Sequence, residues 1–170
     1  MQGILPHLLP ASLYALLGFH FWRTRWVQSA AKAPQGILPW ERLALAVVLL
    51  LHGDVLYGEL FGGDGMRFGF SAALSLMLWL AVLIYWVESF YARLEGLQPL
   101  VLPLAAVCSL LPGLFPGQHL LANVTSAMFR AHFFIAMVAY SLFTLAALHA
   151  IIMAVAERRL HRGELTRPLA

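Results

Sequence analysis

Residues 43–60 read LALAVVLLLHGDVLYGEL and are the best indication of the fold class. It opens with nine consecutive apolar residues. At a helical rise of about 1.5 Å per residue, the whole stretch is about 27 Å long. That length approaches the thickness of the hydrocarbon layer of a bilayer, about 30 Å. The stretch therefore predicts a membrane-spanning helix that carries His52 and Asp54 within the apolar layer.

The rest of the chain has the same character. Of its 170 residues, 61% are hydrophobic and 11% are charged, and the mean hydropathy is +0.79. Soluble domains are about 45–50% apolar and about 25% charged, which excludes an ordinary water-soluble enzyme. Because the alternation typical of membrane strands is missing, we predict an all-α, polytopic membrane bundle that forms one domain over residues 1–170. Its five transmembrane helices are expected at about 4–22, 43–60, 68–91, 97–115 and 131–156.

The basic residues predict the topology. Nine of the eleven Lys and Arg residues fall in the first loop, the third loop and the tail, whereas only Arg67 and Arg130 fall on the opposite side. Cytoplasmic loops are enriched in basic residues, so the N-terminus is expected outside and the C-terminus in the cytoplasm. The scatter of single charges argues against nucleic-acid binding. The single cysteine, Cys108, leaves no disulfide framework or Cys-based haem attachment within this chain.

Ionisable groups within a membrane are candidates for function because lipid makes them costly. His52 is expected near the midplane, about 15 Å from the cytoplasmic end of its helix. His132 and His149 lie about 25 Å apart on the last helix, too far to bind one metal. We expect two haem sites, one on each side, or an outer site and an isolated midplane histidine. The leading ligands are His52 and His132, and the weaker candidates are His7, His119, His20 and His149.

These weaker candidates also have a simpler interpretation. His7, His119 and His20 are expected near the membrane surfaces, where an imidazole is commonly solvated. Asp54 lies about 200° from His52 around its helix. We expect it to face the bundle and pair with Arg67 or Arg130, or to be protonated, with a proton relay as the alternative.

Packing signals are found on the third and fifth helices. Two polar stripes predict hydrogen bonds between helices rather than a substrate path. They consist of Ser71, Ser75 and Trp79 on the third helix and Tyr140, Ser141 and Thr144 on the fifth. The fifth helix is also rich in alanine, and small residues allow helices to approach closely in lipid. It is therefore the predicted packing centre.

The fifth helix also carries a family resemblance. It begins His132-Phe-Phe-Ile-Ala-Met-Val-Ala-Tyr140-Ser141 and ends Glu157-Arg158-Arg159-Leu160, and the patterns Leu51-His52-Gly53-Asp54 and Phe68-Gly69-Phe70-Ser71 precede it. Over about residues 11–162 the chain resembles the cytochrome c assembly protein family, in its CcsA/HemX/YpjD-like branch, and corresponds to the first five transmembrane helices of that branch. The resemblance implies a bacterial inner-membrane protein that binds or moves haem during cytochrome maturation. It matches His132 to an outer haem ligand and His52 to an intramembrane histidine.

Three functions follow from these observations. The first is binding of b-type haem, or help with its handling, in contact with lipid and with other membrane proteins of cytochrome maturation, in a chain that can form homo-oligomers. The alternative is a cofactor-free accessory or scaffold subunit of a larger membrane complex. A proton-coupled transporter would depend on Asp54 alone. We expect no enzyme, because the sequence lacks a nucleophile–base pair, paired carboxylates and a phosphate-binding loop.

Overall fold

The computed structural model describes residues 3–27, 36–62, 66–91, 96–117, 119–120 and 126–161. Five α-helices account for most of them: α1 (Leu5–Phe21), α2 (Pro39–Phe61), α3 (Phe70–Glu88), α4 (Gln98–Leu114) and α5 (Ala127–His161). Two short strands, β1 (Arg67–Phe68) and β2 (His119–Leu120), pair antiparallel, and a π-helical segment at Trp22–Val27 continues α1. The predicted all-α class and its five helices are confirmed.

Three helices in the described ranges are long and apolar enough to cross a membrane, judged by length and composition. They are α2, α3 and the Ala127–Arg158 part of α5. The apolar helix α4 is shorter, at 17 residues, and α1 has the same length. A helix satisfies its own backbone hydrogen bonds, so these apolar segments are compatible with a lipid environment.

The start of α2 differs from the prediction. The helix begins at Pro39, four residues before the start of the predicted transmembrane segment, so Glu41 and Arg42 belong to its first turn. The Leu38 N–H donates to Glu41 Oε2 at 2.8 Å, which satisfies a backbone donor at the helix start. Proline is also well suited to the first helical position because it lacks the N–H that would be unsatisfied there.

Close packing of α1 on α4 forms the centre of the bundle. A Cβ atom at Gly18 would lie 3.1 Å from Pro103 Cδ, and one at Gly113 would lie 2.8 Å from His7 Cδ2. The two backbones therefore approach where glycine leaves room. The apolar core around this contact includes Tyr14, Phe21, Leu45, Leu78, Tyr85, Leu97 and Leu102.

Helix α5 is not the packing centre, and that prediction is wrong. It packs mainly on α3 and only slightly on α4, and 22% of its most apolar 18 residues are buried, against 44% for α3. Ser141, Leu145 and Leu148 point inward, whereas most of its alanines are exposed. Glycine permits a closer approach than alanine because it has no Cβ, which explains why the glycines of α1 and α4 mark the tightest contact instead.

The first three helices alternate in direction, so the bundle has two distinct ends. At what we call the basic end, α1 and α3 finish near the start of α2: Arg42 Nη2 donates to Ser89 O at 2.7 Å, and Trp86 Nε1 donates to Arg42 O at 3.0 Å. At the strand end, β1 pairs with β2, with Arg67 opposite Leu120 and Phe68 opposite His119.

Candidate functional site

His52 lies in the interior of the bundle and is fully buried. Its Nδ1 is 3.3 Å from the Tyr14 hydroxyl on α1, and its Nε2 is 2.9 Å from Ser75 Oγ on α3. A hydroxyl both donates and accepts, so either tautomer of the imidazole satisfies both contacts. His52 therefore links three helices, and both of its ring nitrogens are occupied.

The polar stripes form the predicted hydrogen bonds between helices. Ser71 Oγ donates to Phe115 O at 2.5 Å, Trp79 Nε1 to Leu49 O at 2.8 Å and Ser141 Oγ to Met77 O at 2.9 Å. The Thr144 hydroxyl lies 2.8 Å from the Tyr140 carbonyl oxygen of its own helix and 3.5 Å from Met77 Sδ on α3. The prediction is confirmed for the whole α3 stripe and, on α5, for Ser141 and Thr144, which both contact Met77 of α3.

His7 lies at the strand end and is also fully buried. Its Nδ1 donates to Ser109 O of α4 at 2.9 Å, because a carbonyl oxygen can only accept. Its Nε2 lies 3.3 Å from Glu59 Oε1 of α2, so this contact needs a proton on one of its two atoms. Gly113 supplies the space for the imidazole. His7 is thus a buried contact among three helices rather than a solvated side chain.

His20 lies in a charged cluster at the basic end. Its Nε2 is 2.8 Å from Glu41 Oε1, and its ring packs edge-on against Trp40 at 4.9 Å. The other oxygen of Glu41 accepts from Arg25 Nη2 at 2.9 Å, and the same Nη2 donates to Gly36 O at 2.8 Å. Glu41 and Arg25 are buried. Their carboxylate and guanidinium therefore form an internal ion pair that joins the π-helical segment to α2.

His132 has a different setting at the strand end. Its side chain is exposed on the first part of α5, and it makes no hydrogen bond or ion pair within the part of the chain that the structure describes. The neighbouring Phe133 ring packs edge-on against Phe68 of β1 at 5.0 Å and stacks with Phe129 at 6.1 Å. The accessible imidazole of His132 is therefore on the same turn of α5 as this group of aromatic rings.

The strand pair also brings a second predicted histidine to this end. The backbone of His119 in β2 lies opposite Phe68, whose ring contacts Phe133. The His119 side chain is outside the described part of the structure. Arg67, next to Phe68 in β1, is exposed and supplies a positive charge at the same end. The surface formed by Arg67, Phe68, Phe129, His132 and Phe133, together with the His119 backbone, is called the strand-end surface below.

The two leading ligand candidates are not in contact. His52 is enclosed by α1, α2 and α3, whereas His132 is exposed on α5. His149 is half-buried on α5 and has no hydrogen bond among the described residues. No group of three or more His, Cys, Asp or Glu side chains suited to a metal ion occurs in the ranges that the structure describes. Haem ligation requires only one or two histidines, so it is judged by accessibility instead.

No family model matches this chain. No curated protein and no solved structure matches it significantly either. The resemblance to the cytochrome c assembly family therefore stays a prediction, carried by His132 and the pattern that follows it on α5.

Sequence reasoning missed the acidic partners of His20 and His7, the buried Glu41 and the partly buried Glu59. Glu41 lies outside the predicted helix at 43–60, although Pro39 two residues earlier is a signal for a helix start. Glu59 lies seven residues after His52, which places both on the same face of a helix. That spacing could have identified Glu59 as inward-facing. The pairing of Glu59 with His7 depends on how α1 packs on α2, which the sequence does not show.

Proposed function

We propose that this chain is a multi-pass protein of the bacterial inner membrane that binds b-type haem, or assists its handling, at the strand-end surface. The observation that carries the proposal is the exposed, unpartnered imidazole of His132, one residue before Phe133, whose ring contacts Phe68. Histidine is a common axial ligand of haem iron, and a haem face is well covered by aromatic side chains. We assign no catalytic residue.

The residues of the strand-end surface fit such a ligand. His132 would supply one axial nitrogen, and His119 is the proposed second ligand because its backbone lies opposite Phe68. Arg67 would pair with a propionate, since guanidinium groups bind carboxylates well. Haem, when bound, supplies an iron centre and two negative charges for these side chains to hold. His52 would have to give up Tyr14 or Ser75 to act as a ligand, so we propose a structural role for it in holding α1 to α3.

The charge distribution supports an orientation. With nine of the eleven basic residues assigned to the other side, the strand end would face outward and the basic end the cytoplasm. The N-terminus would then be outside, the C-terminus would be cytoplasmic, and the proposed haem site would lie at the outer surface, where apocytochrome partners would have access to it.

A haem titration of ligand variants tests the site. We expect His132→Ala to weaken haem binding by about 100-fold or more, because loss of supporting residues alone costs about 10–100-fold in metal sites. The matched control is His149→Ala, which removes another unpartnered histidine from the same helix and should leave the Soret band unchanged. His52→Ala should keep the band as well. A full Soret band in His132→Ala, together with its loss in His52→Ala, would reverse the ligand assignment.

A second candidate function is a cofactor-free accessory subunit of a larger membrane complex. The sparse burial of α5 favours it, since a long apolar helix with most of its surface exposed is available to a partner or to a second copy. Purified protein that binds no haem but co-purifies with a stoichiometric membrane partner would support this function over haem binding.

A further inference from the structure

A groove of about 660 Å³ runs along the side of the bundle between α2 and α3. Leu50, Tyr57 and Phe61 form part of the α2 wall, and Leu76 and Trp86 lie on the α3 side. From Ala46 to Phe61 the α2 wall is about 22 Å long, or about four helical turns. At its floor, the Trp79 indole packs against Gly53, where a Cβ atom would lie 3.2 Å from Trp79 Cζ2. The groove is thus apolar and has the length of a helix contact.

Asp54 places a carboxylate in this groove. Its side chain is exposed, and it makes no ion pair or hydrogen bond within the described part of the chain. The expectation that Asp54 faces the bundle and pairs with Arg67 or Arg130 is therefore wrong. His52 occupies the inward face of α2, and a residue two positions later lies on the opposite side of the helix.

Asp54 lies well inside the ends of α2 rather than at the level of a membrane surface. It lies seven residues before the end of α2, about 10 Å from the strand end of that helix. If α2 spans the bilayer, the carboxylate is at hydrocarbon depth. Ionisable groups at that depth usually pair with an opposite charge. The groove therefore offers apolar contact along its length and one carboxyl group that a basic side chain can pair with.

We propose that this groove docks a transmembrane helix outside these 170 residues that places a lysine or arginine level with Asp54. The partner needs a basic side chain because that side chain would pair with the Asp54 carboxylate. It is a helix because the apolar wall is about four helical turns long. A lipid headgroup does not fit, because its cation stays at the membrane surface rather than about 10 Å below it. A second copy docked groove to groove does not fit either, because it would bring two Asp54 carboxylates together.

Synthetic transmembrane peptides in liposomes of phosphatidylcholine and phosphatidylglycerol test this docking. One leucine-rich peptide of about 21 residues carries a lysine about 10 Å inside its outer end, and its matched partner carries leucine there. A benzoylphenylalanine photo-crosslinker replaces Leu50 in the groove, which is 74% exposed. The control position is Leu16 on α1, outside the groove and 65% exposed.

The expected result at Leu50 is about tenfold more crosslinking of the lysine peptide than of the leucine peptide. At Leu16 the two peptides should crosslink equally. Asp54→Asn should abolish the preference, Asp54→Glu should keep it, and Asp54→Lys should transfer it to a peptide with glutamate at the same depth. Circular dichroism checks that each variant remains helical. Equal crosslinking of both peptides at Leu50, or a lysine preference that survives Asp54→Asn, would overturn the proposal.

Discussion

Replacing Glu41 with alanine is expected to reduce the free energy of unfolding by about 3–5 kcal/mol. Removal of one partner of a buried ion pair leaves the other charge uncompensated, and here that charge is the buried guanidinium of Arg25. The same substitution removes the acceptor of the Leu38 N–H at the start of α2 and the contact with His20. Unfolding of the detergent-solubilised protein in urea, followed by circular dichroism, measures the change.

Glu88→Ala is the matched control for Glu41→Ala. Glu88 is an exposed carboxylate at the end of α3, at the same basic end of the bundle. Its removal should change the unfolding free energy by no more than about 0.5 kcal/mol. If Glu41→Ala changed the unfolding free energy as little as Glu88→Ala does, the buried charged cluster would not contribute to stability. That result would contradict the structure of the basic end.

The second large effect is expected at the contact between α1 and α4. Leu102 is fully buried, and its Cβ lies 3.4 Å from the position a Cβ atom would take at Gly18. Leu102→Ala should reduce the unfolding free energy by about 2–3 kcal/mol, the lower part of the range for a buried leucine. The lower part applies because lipid tails are as apolar as the core, so lost packing rather than exposure to water determines the cost.

Leu104→Ala serves as the comparison for Leu102→Ala on the same helix. Leu104 is 42% exposed, and truncating it should leave stability within about 0.5 kcal/mol of the wild type. The corresponding substitution on α5, Leu145→Ala, should reduce the unfolding free energy by less than Leu102→Ala does if α1 and α4 form the packing centre. A larger reduction of the unfolding free energy by Leu145→Ala would indicate that α5 is the packing centre.

Hydrophobic patterning was sufficient to predict the helices. Each long apolar run forms a helix, because an apolar segment can enter lipid only when its backbone N–H and C=O groups are hydrogen-bonded within the segment. Helical periodicity also placed Ser71, Ser75 and Trp79 on one face of α3, where all three form hydrogen bonds to neighbouring helices. These features depend on one helix at a time, and a sequence contains that information.

The partners of individual side chains could not be predicted in the same way. Asp54 was expected to face inward, but the inward face at that level belongs to His52, whose hydroxyl partners come from two other helices. Alanine content predicted α5 as the packing centre of the bundle, whereas Gly18 on α1 and Gly113 on α4 mark the closest contact between two helices. Both errors concern which helices are neighbours, and that depends on packing across the whole bundle.

Haem titration of the wild-type protein in lipid nanodiscs tests whether this chain binds haem. The absorbance of the Soret band is followed as haem is added, with empty nanodiscs as the reference for haem dissolved in lipid. Binding at the strand-end surface predicts a saturable Soret band at about one haem per chain, with the sharp spectrum of histidine-ligated iron. A spectrum that rises without saturation and matches that of empty nanodiscs would contradict haem binding by this chain.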